Sequence, residues 1–184
     1  MTNYETLPDD LPVPVDDGSC DHLIGMTAPD LDLPTTDGGQ VNLAQLARTT
    51  VIYCYPKTGV PGVALPDGWD QIPGARGCTP QSCAFRDHHA ELDALGADVF
   101  GLSTQSTPYQ QELVDRLHLP YPVISDAGLT LVTALRLPTF EADGETLIKR
   151  VTFIVKNGKI DAVHYPVFPS HSDPEWVLAQ LSKE

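Results

Sequence analysis

The run Thr49-Thr50-Val51-Ile52-Tyr53-Cys54-Tyr55 limits what this chain can become more than any other stretch. It is β-branched and aromatic apart from one cysteine, without polar alternation, and so suits a strand covered on both faces. Such a strand needs a layer on each side, and the segments after it supply the helices. One helix is predicted to open near Pro80 and run through Phe85, His88, Leu92 and Leu95 to a stop at Gly96. Residues 98–103 read as the next strand. Thr107-Pro108-Tyr109-Gln110 reads as a capping box opening a helix through Leu113 and Leu117. A short strand at 122–124 and a short helix carrying Leu129, Val132 and Leu135 follow. Residues 28–33 and 40–43 read as a hairpin near the N-terminus, and 150–155 with 160–165 as another around Asn157-Gly158. Ser172-Asp173-Pro174-Glu175 reads as a second capping box before a final helix with Trp176, Val177 and Leu181. Strands alternating with helices imply an α/β layer structure whose terminal hairpin makes the sheet mixed.

Charge narrows the partners. The 184 residues carry a formal net charge of −14, a field that repels nucleic acid and anionic membrane surfaces. No apolar run approaches the ~20 residues of a membrane span. The acidic, proline-rich start does not resemble a signal or transit peptide, so the expected setting is cytoplasmic. Residues 1–22 read as an extended surface arm, a solvated tail, and 23–184 as the folded domain. Within that domain, residues 59–77 hold five glycines and three prolines and read as a long loop.

The segment Gly77-Cys78-Thr79-Pro80-Gln81-Ser82-Cys83-Ala84-Phe85-Arg86-Asp87 carries the chemistry. With Thr79 as N-cap and Pro80 as first helical residue, Cys78 sits at a helix mouth, where the dipole and open N–H groups favour an anion. A free thiol is only about 3% thiolate at neutral pH. The helix mouth, together with Arg76 and Arg86, would raise that fraction and make a reactive cysteine; an ordinary buried cysteine is the equal alternative. Cys83 shifts the balance. Helical residues i and i+5 have Cα atoms ~8.6 Å apart, beyond the reach of a disulfide, but losing one turn would let them join. Two such cysteines suggest a dithiol reacting in sequence, one attacked by oxidant and the other closing on it.

Other candidates read more plainly. Cys78, Cys83, His88 and His89 could be taken as a zinc cluster, but the spacing scatters them over different helix faces. His88 and His89 suit a helix surface, Cys54 the core, His164 a structural place in a strand, and Cys20 no role. Arg150 stands at the start of a strand of Val, Thr, Phe and Ile, where its guanidinium would point at an end of the sheet or simply into solvent.

Tyr55-Pro56-Lys57, Gly77-Cys78-Thr79 with Cys83, Phe85-Arg86-Asp87, Gly101-Leu102-Ser103, Ser125-Asp126 and Arg150-Val151-Thr152-Phe153 together resemble the peroxiredoxins, in particular the bacterioferritin-comigratory-protein or Q branch. The resemblance covers roughly residues 23 to 182. It implies a thioredoxin-like fold and the reduction of hydrogen peroxide and organic hydroperoxides with electrons from a thioredoxin-like dithiol. It implies no metal or organic cofactor, and a monomer or weak homodimer. By position, Cys78 would be the peroxidatic cysteine, Cys83 the resolving one, and Arg150 the arginine that holds the thiolate and polarises the peroxide. The family pattern Pro-x-x-x-Thr-x-x-Cys is stretched here. Pro56 lies 22 residues before Cys78 instead of seven, and position 75 is Ala. Thr58 would take the threonine's part if 59–77 loops out behind it, and Gln81 stands where the branch often has Glu. Two other classes remain: a thioredoxin-fold sensor or binding module with little turnover, and a zinc protein built on the Cys/His cluster.

Overall fold

The computed structural model describes residues 6–183; residues 1–5 of the arm lie outside them. Its centre is a five-stranded mixed sheet. β3 (Thr49–Cys54) lies in the middle, parallel to β4 (Ala97–Ser103), which is in turn parallel to β5 (Val123–Ser125). On the other side β8 (Val151–Lys156) runs antiparallel to β3, and β9 (Lys159–His164) antiparallel to β8. Two small hairpins flank this sheet, β1 (Asp32–Pro34) with β2 (Gln40–Asn42), and β6 (Thr139–Ala142) with β7 (Glu145–Ile148).

The two-period of β3 divides the core. Val51, Tyr53 and Tyr55 face one layer with Phe85, Leu92, Leu113 and Val177, while Ile52 and Cys54 face the other with Leu23, Leu33, Leu131 and Phe153. The first layer holds α1 (Cys78–Asp87), α2 (His89–Ala94), α3 (Thr107–Leu117) and α5 (Asp173–Leu181); the second holds α4 (Thr130–Leu135) and the first hairpin. This is the mixed α/β layer arrangement that the strand and helix pattern implied, in the thioredoxin-like form that the resemblance implied. No helix among the described residues is long and apolar enough to cross a membrane.

Four local readings are corrected. The helix near Pro80 starts earlier, at Cys78 after Gly77, and breaks at His88 into α1 and α2. Neither capping box forms. Ser172 donates its hydroxyl backwards to the Pro169 carbonyl, and Gln110 turns into the core to donate to Ser103 and Ile124. The β6–β7 hairpin was not foreseen. Its turn, Asp143-Gly144, has positive φ at both residues, as a two-residue hairpin turn requires. The described part of the arm, residues 6–22, is finally not a solvated tail. Cys20 and Leu23 are buried in the core, Asp17 accepts from Lys149 Nζ and Tyr165 Oη at 2.9 Å each, and Pro14 and Leu7 approach Gly74 and Gly77.

Residues 59–77 also fold onto the domain. Trp69, only 3% exposed, packs with Ala75 and Leu147, and its ring centroid lies 6.1 Å from that of Phe140. The segment thus forms a satellite cluster against β6–β7.

Candidate active site

Cys78 is the first residue of α1 because Gly77 turns the chain there. Gly77 has φ 111° and ψ 19°, a conformation closed to side-chain-bearing residues at low cost. Its carbonyl accepts from Gln81 N at 3.1 Å and so begins the helix. Thr79, the expected cap, is instead buried within the first turn. The first turn is held from the sheet. Tyr53 Oη donates to Ser82 Oγ at 3.1 Å, and Tyr121 Oη to the Ser82 carbonyl at 2.8 Å, beside a Tyr53–Phe85 stack at 4.5 Å. Tyr53 reaches across its register partner Gly101, where a Cβ would lie 2.8 Å from the phenol oxygen.

Arg150 precedes β8, on the strand adjoining β3, and points its guanidinium at Cys78. Nη2 lies 3.2 Å from Sγ, and the same nitrogen donates to the carbonyls of Ala75 and Arg76 at 3.0 and 3.3 Å. Nε donates to the Gly74 carbonyl at 3.2 Å, and Nη1 to Gln81 Oε1. Arg150 is 3% exposed, and among the described residues no carboxylate comes within ion-pair distance of its guanidinium. Among the described residues Cys78 Sγ, which also reaches the Ala75 carbonyl at 3.6 Å, is the ionisable atom that the guanidinium touches. The arginines near Cys78 in sequence are engaged elsewhere, Arg76 with Asp70 at 3.0 Å and Arg86 with Asp87 at 2.9 Å.

Thr58 arrives at the same place despite the long segment between. It lines a small cleft over Cys78 with Gly59, Leu65, Trp69 and Gly77. Its amide and hydroxyl both donate to Gln105 Oε1 at 3.1 Å, and its carbonyl accepts from Tyr109 Oη at 2.9 Å. The cleft has about 10 Å³ of room, enough for a group the size of one water molecule. Outside it, sharing Thr58, Gly59 and Leu65, lies a groove of about 390 Å³ with Val60, Val63, Pro66 and Tyr109 in its wall.

Cys83 sits five residues along the same intact helix, half-buried, and the four cysteines are thiols. Cys54 and Cys20 are poor nucleophiles here. Burial pushes the Cys54 thiol well above its ordinary range, and burial with the nearby Asp17 charge pushes that of Cys20 up to about 12. His88 Nδ1 donates to the Ala84 carbonyl at 2.9 Å and His89 stacks on Tyr121. No three His, Cys, Asp or Glu side chains among the described residues converge as metal ligands would.

Sequence reasoning singled out Cys78, Cys83, Arg150 and Thr58, and the fold brings Cys78, Arg150 and Thr58 to one point. It missed Gln105, which holds Thr58, and Asp173, which accepts from Gln81 Nε2 at 2.7 Å. Both come from segments 47 and 92 residues distant from their partners and carry no local motif.

The Redoxin family profile matches residues 23–181. Peroxiredoxin bcp1 of Schizosaccharomyces pombe is 32% identical over 135 residues, which is 71% of this chain and 62% of that protein. The chloroplastic peroxiredoxin Q of Sedum lineare is 30% identical over 163 residues, 86% of this chain and 78% of that one. The crystal structure of peroxidoxin BcpB from Mycobacterium tuberculosis superposes with a TM-score of 0.71 at 26% identity, covering 87% of this chain and 96% of its own. The chain spans about six-tenths of the length of the first curated relatives it matches, 62% and 58%.

Proposed function

The chain belongs to the redoxin family, as a peroxiredoxin of the Q or bacterioferritin-comigratory type, and on that premise we propose that it is a thiol peroxidase in which Cys78 attacks the peroxide. The observation that carries this reading is the Arg150 guanidinium 3.2 Å from Cys78 Sγ, buried and, among the described residues, without a carboxylate partner. The Cys78 thiolate attacks the terminal peroxide oxygen in line. An S–O bond forms, the O–O bond breaks, and the leaving alkoxide or hydroxide takes up a proton. Arg150 and the amides at the start of α1 face the charge that moves onto oxygen. Thr58 Oγ1, fixed by Gln105, borders the cleft the peroxide enters.

The second step joins Cys78 to Cys83. In an intact helix their Cα atoms stand ~8.6 Å apart, so the first turn must open before the Cys83 thiolate displaces water from the sulfenic sulfur. The disulfide then takes two electrons and two protons from a dithiol protein of thioredoxin type. A reducing compartment such as the cytoplasm suits that cycle, because it keeps such dithiols supplied. The tight cleft suits the terminal oxygen of a peroxide, and the wider groove suits the organic part of a hydroperoxide. Segment 59–77 then acts as part of the substrate's surroundings, and residues 6–22 as a strap over the loop before Cys78.

The test is steady-state peroxide consumption with thioredoxin, its reductase and NADPH, comparing the natural protein with Cys78→Ser. Sustained turnover that the variant lacks supports the reading. One equivalent consumed per chain despite excess reductant would replace it with the sensor reading.

A further inference from the structure

Asp173 is a completely buried carboxylate at the first residue of α5, away from the peroxide cleft, and its partners are unusual for a helix start. Oδ2 accepts from Gln81 Nε2 at 2.7 Å and from Thr152 Oγ1 at 2.6 Å. Oδ1 lies 2.8 Å from His164 Nδ1, whose ring stacks on Trp176 at 4.7 Å. Gln81, also fully buried, turns its other end to Arg150, taking Nη1 on Oε1. The carboxamide therefore bridges a residue that can only donate and a residue that can only accept. This leaves one orientation open to it, oxygen toward Arg150 and nitrogen toward Asp173.

We propose that Asp173 is a positioning residue for Cys78 chemistry: through the Gln81 carboxamide it fixes the Arg150 guanidinium against the sulfur and supplies the carboxylate of that network. This rests on the reading of Cys78 as the attacking thiolate and adds a residue to it. The charge stands one carboxamide away from Arg150, near enough to hold the arginine through hydrogen bonds and not in contact with it. Sγ is thereby left as the ionisable partner that the guanidinium touches. A carboxylate at position 81 would instead meet Arg150 directly and face Asp173 across a hydrogen bond. Two buried carboxylates so placed must share a proton or part.

A four-cornered cycle of Gln81→Glu and Asp173→Asn tests this. The readouts are the second-order rate constant of Cys78 oxidation by peroxide in a single turnover and, independently of peroxide, the rate of Cys78 alkylation by iodoacetamide. Gln81→Glu alone should slow both by about tenfold or more, because opposed carboxylates displace the guanidinium. Asp173→Asn alone should slow them several-fold, since its amide can present N–H to Gln81 and no longer forces one orientation. In the double variant Asp173→Asn should instead speed the Gln81→Glu protein by about tenfold, a reversal of sign that only direct coupling produces. Asp173→Leu should abolish most of the rate; if it does not fold, the cycle still decides. A purely structural role for Asp173 would show as singles whose effects multiply without that reversal, and this would overturn the proposal. A natural protein whose Cys78 alkylates as expected but ignores peroxide would refute the peroxidase reading alone, with the alkylation cycle still deciding the role of Asp173.

Discussion

Gly77→Ala puts the local geometry of the site to a quantitative test. Two costs arise independently. The φ of 111° lies beyond the small left-handed region open to L-residues, and holding an alanine there costs about 1–3 kcal/mol. The new Cβ would also lie 2.3 Å from Ser170 Oγ, 3.1 Å from Ser170 Cβ and 3.0 Å from Leu7 Cδ2. Leu7 is the end of a side chain in the arm and can move. Ser170 is 2% exposed, in the short 3-10 turn Ser170–Ser172 packed against α1, and cannot move freely. Overpacking of that kind costs about 1–3 kcal/mol more. The loss should therefore be about 2–6 kcal/mol, a large part of the ~5–15 kcal/mol that holds a domain of this size.

The partner variant separates the two costs. Among the described residues Ser170 Oγ is a buried hydroxyl without a hydrogen-bond partner, so Ser170→Ala should be neutral or stabilising by up to about 1–2 kcal/mol. In the Gly77→Ala background it should also remove the 2.3 Å contact and return about 1–3 kcal/mol beyond its own effect, leaving the φ strain. Denaturant unfolding followed by tryptophan fluorescence reads all four proteins. Because Gly77 sets where α1 begins, Gly77→Ala should also slow Cys78 oxidation by about tenfold or more. A loss under ~0.5 kcal/mol, or strict additivity with Ser170→Ala, would refute the reasoning.

Three further outcomes are expected. Trp69→Ala should cost about 3–5 kcal/mol through the cavity left beside Leu147 and Phe140 and change the ratio of kcat/KM for a bulky organic hydroperoxide to that for hydrogen peroxide; an unchanged ratio would give Trp69 a role in stability alone. Peptide mapping after one equivalent of peroxide should find Cys78 linked to Cys83 within one chain, and a link to Cys20 or Cys54 would overturn the proposed cycle. Asp17 is held well below the usual carboxylate range by hydrogen bonds from Ser19, then Lys149 and Tyr165, so its contribution is complete above about pH 4 and lost as pH falls below that. Asp17→Asn should accordingly loosen residues 6–22 to proteolysis at pH 7, with its stability deficit narrowing progressively as pH falls below about 4; a deficit independent of pH would deny the carboxylate this part.

The sheet and most of its helices were legible because their signals are local. The β3 run, the Asn157-Gly158 turn and the stop at Gly96 each follow from a few neighbouring residues. Asp143-Gly144 carried an equally good turn signal, and it was overlooked because the flanking strands are short and half-polar. The arm misled for a different reason. Its composition is that of a solvated chain, and only tertiary partners such as Lys149, Tyr165 and Gly77 hold it down. At the site, Cys78 and Cys83 announce themselves by spacing, while Arg150, whose place beside an apolar strand suits a solvated charge as well, is singled out by the resemblance alone. Thr79 took the place of Gly77 as cap because a side-chain cap is visible in sequence and a left-handed glycine is visible only in φ. Asp173 could not be inferred. Its role depends on being buried opposite Gln81, while in sequence it looks like an acidic residue opening a surface helix.

The stretch between Pro56 and Cys78 shows how a site survives lengthening. Closing a loop of 21 residues instead of six costs only about 1 kcal/mol more, because the entropy grows with the logarithm of length. Burying one large aromatic side chain such as Trp69 returns about 2–3 kcal/mol, so the satellite cluster with Ala75 and Leu147 can offset the closure by itself. The ends of the segment are constrained separately. Thr58 is held by Gln105 and Tyr109, and the carbonyls of Gly74, Ala75 and Arg76 are held by Arg150. The guanidinium that faces the sulfur therefore also clasps the returning chain. Changes at Val60 or Val63, far from both clasps, can reshape the groove without moving Cys78, whereas a change at Arg150 disturbs the chemistry and the loop at once.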